Sequence, residues 1–401
     1  MNDNYNNGNN TQNDSENEKE RIRFDDADFN PYSRYYSGNA NRNEFGEEPY
    51  NKGKNPYSGH YTEKKEESFY SELADGSGTR EHFSRIGLGY ALFSVITFAV
   101  TLIIASVVRL VNPEFYNSNL FLNLLTPLVL YVFALPVLLI VLSRCEAKAP
   151  QKRRMGFGEW ILFLIASFGF MYIGSIIGNT VMSSLSELVG YDYSNALSSI
   201  IDDENLIITI IFAVIIAPIG EEFVFRKLII DRTQKYGPLI SIGLSGLMFG
   251  IMHSNFYQFF YCFALGIILG YIYYTTGKLY LTIAIHAVVN FVGGVIPSLF
   301  TPIIDALLAA DPEDPSAMLE IVMENPLTFV GLIIFELFVY AAMACAVIFP
   351  LVFRKKLKGK LLPGEVRIPR QKLIPTVILN GGVIAMFVVY LLEFGLNLLP
   401  R

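Results

Sequence analysis

The sequence predicts an all-α protein: a polytopic helical membrane bundle of about nine transmembrane helices, preceded by a disordered N-terminal tail. Three observations predict it. The chain is 52% hydrophobic and 17% charged over 401 residues, too apolar for an ordinary soluble protein. From Ile86 onward the apolar residues gather into runs of roughly 20, the length that crosses a bilayer as a helix. Lys and Arg crowd the loops on one side of these runs and are missing from two loops on the other, the asymmetry of a membrane protein.

The tail is residues 1–85. It is rich in Asn, Gly, Ser and Tyr, has no apolar run and cannot bury a core. It holds 17 acidic and 11 basic side chains, so it carries the whole formal charge of −6; the remaining residues hold 20 of each. That balance excludes nucleic acid as a partner. The opening "MNDNYNNGNNTQ" lacks a charged-then-apolar pattern, so no cleaved signal peptide is expected. The tetrad "NPYS" at Asn30–Ser33 and Asn55–Ser58 is an incidental match in a biased segment, with a docking motif as the alternative. The three cysteines are far apart and form no CxxC pair, so neither a disulfide framework nor a cysteine metal site is expected.

The membrane domain is residues 86–401. Its predicted spans are about 86–108, 120–142, 160–182, 206–230, 238–254, 256–276, 279–299, 327–352 and 375–398. Each is helical because lipid offers backbone groups no other partner. Trp160 and Glu159 open the third span, where an interfacial anchor belongs. Basic residues follow the second, fourth, sixth and eighth spans. The loops 183–205 and 300–326 hold only acidic charge, among it Asp192, Asp203, Asp305 and Asp314. The positive-inside rule then places the N-terminus in the cytoplasm and the C-terminus outside. In a bacterial cell the membrane would be the plasma membrane.

The fourth span, "IIFAVIIAPIGEEFVFRKLII", carries Glu221, Glu222 and Arg226. Three charges at a helix centre cost about 8–10 kcal/mol, and the twelve apolar residues before them return only about 5 kcal/mol. Glu222 and Arg226 are spaced i,i+4 and share one stripe, so they neutralise each other. Glu221 is turned about 100° away, without that partner. Pro218 leaves the Val214 carbonyl without its helical donor, which predicts a kink and a wet, polar spot.

Two more polar pairs follow at helical spacing. Phe249 and His253 are four apart in "FGIMH", and His286 and Asn290 are four apart in "HAVVN". Either histidine alone is the sort of residue a bundle interior satisfies. Two histidines, an Asn and a charged triplet on three nearby spans predict one convergent site. A carboxylate with a histidine can hold and deprotonate water. A histidine with an Asn amide can stabilise an oxyanion. The same groups suit zinc, through His253, His286 and Glu221, or a proton relay in an ion-coupled transporter. Spacing does not separate these chemistries.

Here the sequence resembles the CAAX protease and bacteriocin-processing (CPBP/Abi) intramembrane proteases, related to the type II CAAX prenyl endopeptidases. "EEFVFR" is similar to their Glu-Glu-x-x-x-Arg motif, "FGIMH" to Phe-x-x-x-His and "HAVVN" to His-x-x-x-Asn. The three occur in order within about residues 200–300, which the resemblance makes the catalytic core. One position departs: Lys227 stands where family members commonly have Gly, and its long side chain is expected to narrow the cytoplasmic approach. The resemblance implies that Glu221 activates water, assisted by His253. It implies an oxyanion hole of His286 and Asn290, with Glu222, Arg226 and Phe249 as structural support. It favours a glutamate-dependent endopeptidase with no cofactor, zinc being the alternative. The implied partner is a membrane-anchored protein or peptide substrate within the lipid bilayer. No oligomeric state follows from the pattern.

Two other function classes stand beside this one. A transporter would show paired broken helices in repeated halves, and only one broken span is visible. A non-catalytic scaffold of the same fold would have lost motif residues, and all are present. Glu336 and Glu393, in the eighth and ninth spans, are expected to be paired or snorkelling. The aromatic run Phe256–Phe263 is expected to pack against lipid, with a groove lining as the alternative.

Overall fold

The computed structural model describes residues 77–191, 193 and 206–399. The tail through residue 76, and with it both "NPYS" tetrads, lies outside the described residues, as do most of 192–205. The described chain is helical without strands, and it is an integral membrane protein. Six helices are long and apolar enough to cross a bilayer: α1 (Gly78–Val111), α2 (Leu120–Leu142), α3 (Phe157–Val189), α6 (Phe256–Thr276), α7 (Leu279–Ser298) and α10 (Pro326–Val352). Between α3 and α6 lie α4, the helical run 206–236, and α5 (Pro238–Met252). Two short helices, α8 (Thr301–Ala309) and α9 (Pro315–Glu324), join α7 to α10. The chain ends on α11 (Arg370–Val377) and α12 (Gly381–Asn397), bent 59° from one another.

Six helices, or seven if the bent pair is one span, are long and apolar enough to cross, so the count of about nine is not confirmed. α5 has 15 residues, about 22 Å of helix, short of a hydrocarbon core of about 30 Å. α12 starts afresh after a break, where the Asn380 side chain accepts from the Val383 N–H at 3.0 Å. The helix of α1 extends back to Ser77, one residue before the span given above and nine before the expected Ile86. Its extra turns dock on the α11–α12 break: the Arg80 guanidinium donates to the Leu379 carbonyl at 2.9 Å, and the Gly382 N–H donates to Ser84 Oγ at 2.9 Å. A broken helix leaves backbone groups without helical partners, and these side chains satisfy two of them.

The core joins the first half of α1 to α2, α4, α5, α6 and α12. Phe83, Ile86, Tyr90, Ile229, Leu269 and Met386 are all essentially buried. The far half of α1 and the outer faces of α2, α10 and α12 expose large apolar side chains such as Ile103, Ile140, Leu351 and Leu391. Such faces belong against lipid. α3 and α6 pack backbone to backbone. A Cβ on Gly174 would lie 2.6 Å from the Tyr261 backbone, and one on Gly178 would lie 2.5 Å from the Phe256 carbonyl. Small residues are what allow such close helix approach in a membrane. At the basic end, Glu159 pairs with Lys360 at 2.5 Å and the Trp160 indole N–H donates to the Leu281 carbonyl at 3.2 Å.

Candidate active site

α4 is the irregular element of the bundle, and its irregularity builds the site. Ile210–Ile216 and Glu222–Lys227 are wound as π-helix on either side of Ala217–Glu221. A π-turn frees carbonyls from the usual ladder and is common at functional sites. Carbonyls of both π segments accept from side chains of other helices. Tyr90 donates to the Val224 carbonyl at 2.5 Å, Ser245 to that of Phe225 at 2.8 Å, and Asn290 Nδ2 to that of Ala213 at 2.8 Å. The last bond refines the sequence reading. In the i→i+5 register of the π segment, the carbonyl that Pro218 cannot serve is that of Ala213, not Val214. Asn290 supplies the missing donor.

The charged triplet divides. Glu222 and Arg226 are wholly buried, with Glu222 Oε2 3.1 Å from Arg226 Nε. These atoms lie off hydrogen-bond geometry, so the contact is an ion pair. The guanidinium also lies over the Phe249 ring, 4.3 Å from its centroid, a cation–π contact worth about 2 kcal/mol when desolvated. Phe249 meets both histidine rings edge-on, His253 at 5.2 Å and His286 at 5.6 Å between centroids. It is the hub on which the cation and the two imidazoles are set.

Glu222 has a second partner that spacing did not suggest. Its Oε1 lies 2.9 Å from His286 Nδ1. A carboxylate only accepts, so Nδ1 carries the proton, and His286 turns Nε2 toward Glu221 Oε2 at 3.7 Å. Glu221 is partly exposed, at 18% of its side chain. Its described partner is His286, where the sequence reading had paired its function with His253. His253 ends α5, and its Nδ1 lies 2.9 Å from the Phe249 carbonyl. That nitrogen must also be the protonated one, which leaves Nε2 as an acceptor, 3.5 Å from Cys262 Sγ.

A cavity of about 310 Å³ opens on these groups. Glu221, His253, His286 and Asn290, the four residues assigned to chemistry, all line it. Phe249 reaches its wall, while Glu222 and Arg226 sit behind it. The structure thus brings the seven sequence-assigned residues into one cluster and separates them into lining and support. Lys227 is not among the lining residues. It turns to Asp231, 2.9 Å away, so it does not narrow this cavity. Glu336 and Glu393 also lie off the cavity wall.

Several lining residues were not singled out from the sequence. Tyr257, Gln258, Tyr261 and Cys262 of α6 line the cavity. They recur at i, i+1, i+4 and i+5 within the aromatic run, a helical stripe that was legible. The run as a whole does not face lipid: Phe263 does, at 36% exposure, while Phe256 and Phe259 pack on Phe394. Tyr131 of α2 could not have been found this way. Its hydroxyl lies so close over Gly220 that a Cβ there would collide with it. As for zinc, no group of three metal-ligating side chains comes together among the described residues.

Residues 203–292 match a family model described as type II CAAX prenyl endopeptidase Rce1-like. The match spans less than a quarter of the chain and includes all three motifs. No curated protein and no solved structure matches the chain.

Proposed function

We propose that this chain is an intramembrane endopeptidase, a reading supported by the match of residues 203–292 to the type II CAAX prenyl endopeptidase Rce1-like model. It hydrolyses peptide bonds of membrane-anchored proteins or peptides with a glutamate-activated water. The observation that carries the reading is the relay Arg226–Glu222–His286–Glu221, which runs from a sealed ion pair to the cavity wall.

Each group then has a task. Glu221 takes a proton from water as the water oxygen attacks the substrate carbonyl carbon. His253 accepts the water's other hydrogen at Nε2, since its Nδ1 proton is committed to Phe249. Oxyanion stabilisation falls to Asn290 and His286. Asn290 has one amide hydrogen engaged with Ala213 and a second free to donate. His286 donates a hydrogen bond from Nδ1 to Glu222, so donating from Nε2 as well requires the doubly protonated imidazole. The tetrahedral intermediate collapses with loss of the C–N bond, and the proton held by Glu221 passes to the leaving amine. Glu222 and Arg226 act on the reaction through His286, by fixing its tautomer and orientation.

The cavity wall is mainly apolar, with Met171, Leu265, Val289 and Val295 among its residues, which suits a substrate delivered from lipid. The test is a liposome assay with purified full-length protein and membrane-anchored peptides, prenylated and unprenylated. Wild-type protein is expected to release fragments with new termini by mass spectrometry, and Glu221→Gln protein none. Identical fragments from both would overturn the proposal.

A further inference from the structure

The turn that ends α5 at His253 passes through Ser254, whose φ of 50° makes it the one non-glycine residue in the left-handed region among those described. Such a conformation is strained for a non-glycine residue and persists only where the surroundings enforce it. Here they come from α12. Ser254 Oγ donates to Glu393 Oε2 at 2.9 Å, and Asn397 Nδ2 donates to the Ser254 carbonyl at 2.9 Å. The other Glu393 oxygen accepts from Ser94 Oγ of α1. One carboxyl group thus ties α1, the α5–α6 turn and α12 together. On the near side, Asn255 Nδ2 donates to the His253 carbonyl at 2.8 Å while its Oδ1 caps α6.

We propose that Glu393, with Asn397, is a positioning residue for His253. The clamp holds Ser254 left-handed, which stops α5 one residue past the cavity wall and presents His253 Nε2 to the cavity. Without it, Ser254 relaxes to an ordinary conformation and the imidazole beside it swings with the backbone. The inference rests on the assignment of His253 to the hydrolytic site. Both residues lie outside 203–292, so the clamp reaches the matched segment from beyond it.

The chain has only four histidines, which makes ring-15N-histidine NMR of the full-length protein in nanodiscs practicable. A His253→Gln sample assigns the signal. Glu393→Leu is expected to move the His253 ring resonances while those of His286 stay in place. It should also lower kcat by about 10²-fold, the scale of a misplaced catalytic group, with KM little changed. Glu393→Gln can accept from one serine and donate to the other, so it should keep the His253 signal and recover most of the rate. Glycine adopts φ near 50° unaided, so Glu393→Leu should cost clearly less in a Ser254→Gly background. Equal costs in both backgrounds, or an unmoved His253 signal with unchanged kcat per folded molecule, would overturn the clamp. Should Glu393→Leu fail to fold, Asn397→Leu and the Glu393→Gln, Ser254→Gly pair read the same quantities. If wild-type protein cleaves nothing, the protease assignment fails, and the ring signals still decide the clamp.

Discussion

Glu221 and Glu222 are adjacent in the chain and belong to two different regions of the molecule. Glu222 lies in a sealed knot with Arg226, Phe249 and His286, wholly removed from solvent. Glu221 lies on a cavity wall and keeps part of its side chain exposed. One residue's rotation about α4 separates them. The knot can be rigid because every charge in it has a fixed counterpart; the wall can react because its carboxyl group is not used up in structure.

That contrast breaks most sharply at Glu221 itself. Glu221→Gln should reduce turnover by about 10²–10⁴-fold, the contribution of a general base, and leave the melting temperature unchanged. Glu222→Gln should do the reverse, lowering stability by about 3–5 kcal/mol as Arg226 is left an unpaired buried charge. Adding Arg226→Met should recover part of that loss, as measured by denaturation in detergent. Were both single variants to lose activity and stability alike, the division between knot and wall would be wrong.

Asn290 straddles the two regions, and its two amide hydrogens can be told apart. Asn290→Ala should slow turnover by about 10²–10³-fold as an oxyanion donor is lost. It should also cost about 1–3 kcal/mol of stability by stranding the Ala213 carbonyl. Pro218→Ala returns a backbone N–H to that carbonyl, so it should restore the stability of the Asn290→Ala variant and not its rate. Gly220→Ala drives a methyl group into Tyr131 and should cost about 1–3 kcal/mol by overpacking. Tyr131→Leu should relieve it in a thermal melt.

A third carboxylate, in water, sets the lower end of the scale. Asp314 caps α9, and its carboxyl group is held below the usual range by the Ser316 hydroxyl and by the Ser316 and Ala317 N–H groups. A depressed carboxyl pKa contributes stability above its unfolded value and loses it as pH falls through the folded one. Hydrogen exchange at Ser316 and Ala317 should therefore quicken in acid below the ordinary carboxylate range, with the bundle intact.

Hydropathy located the helices well because lipid demands one thing of each span. It missed what composition does not encode: that α5 stops short, that α4 is wound in two pitches, and that Asn380 restarts the last helix. The candidate site was legible wherever its residues share a helix, since Glu222 with Arg226, Phe249 with His253 and His286 with Asn290 are all four apart. Contacts between helices were not. Nothing at positions 222 and 286 announces that one carboxyl group orients the other's imidazole, and nothing in α2 marks Tyr131 as the neighbour of Gly220. The stripe Tyr257, Gln258, Tyr261 and Cys262 was there to be read and was obscured by the aromatic residues around it.

The close seam between α3 and α6 has a mechanical consequence. Where Gly174 and Gly178 bring main chain against main chain, no side chain is left to rearrange, and the wall bearing Tyr257 and Tyr261 has no slack. Across the cavity the lining includes Gly293 and Gly294 of α7, one facing only the pliable Met171 thioether and the other facing open space. The chamber thus sets a wall of main-chain contact against a wall with room to spare beside its glycines.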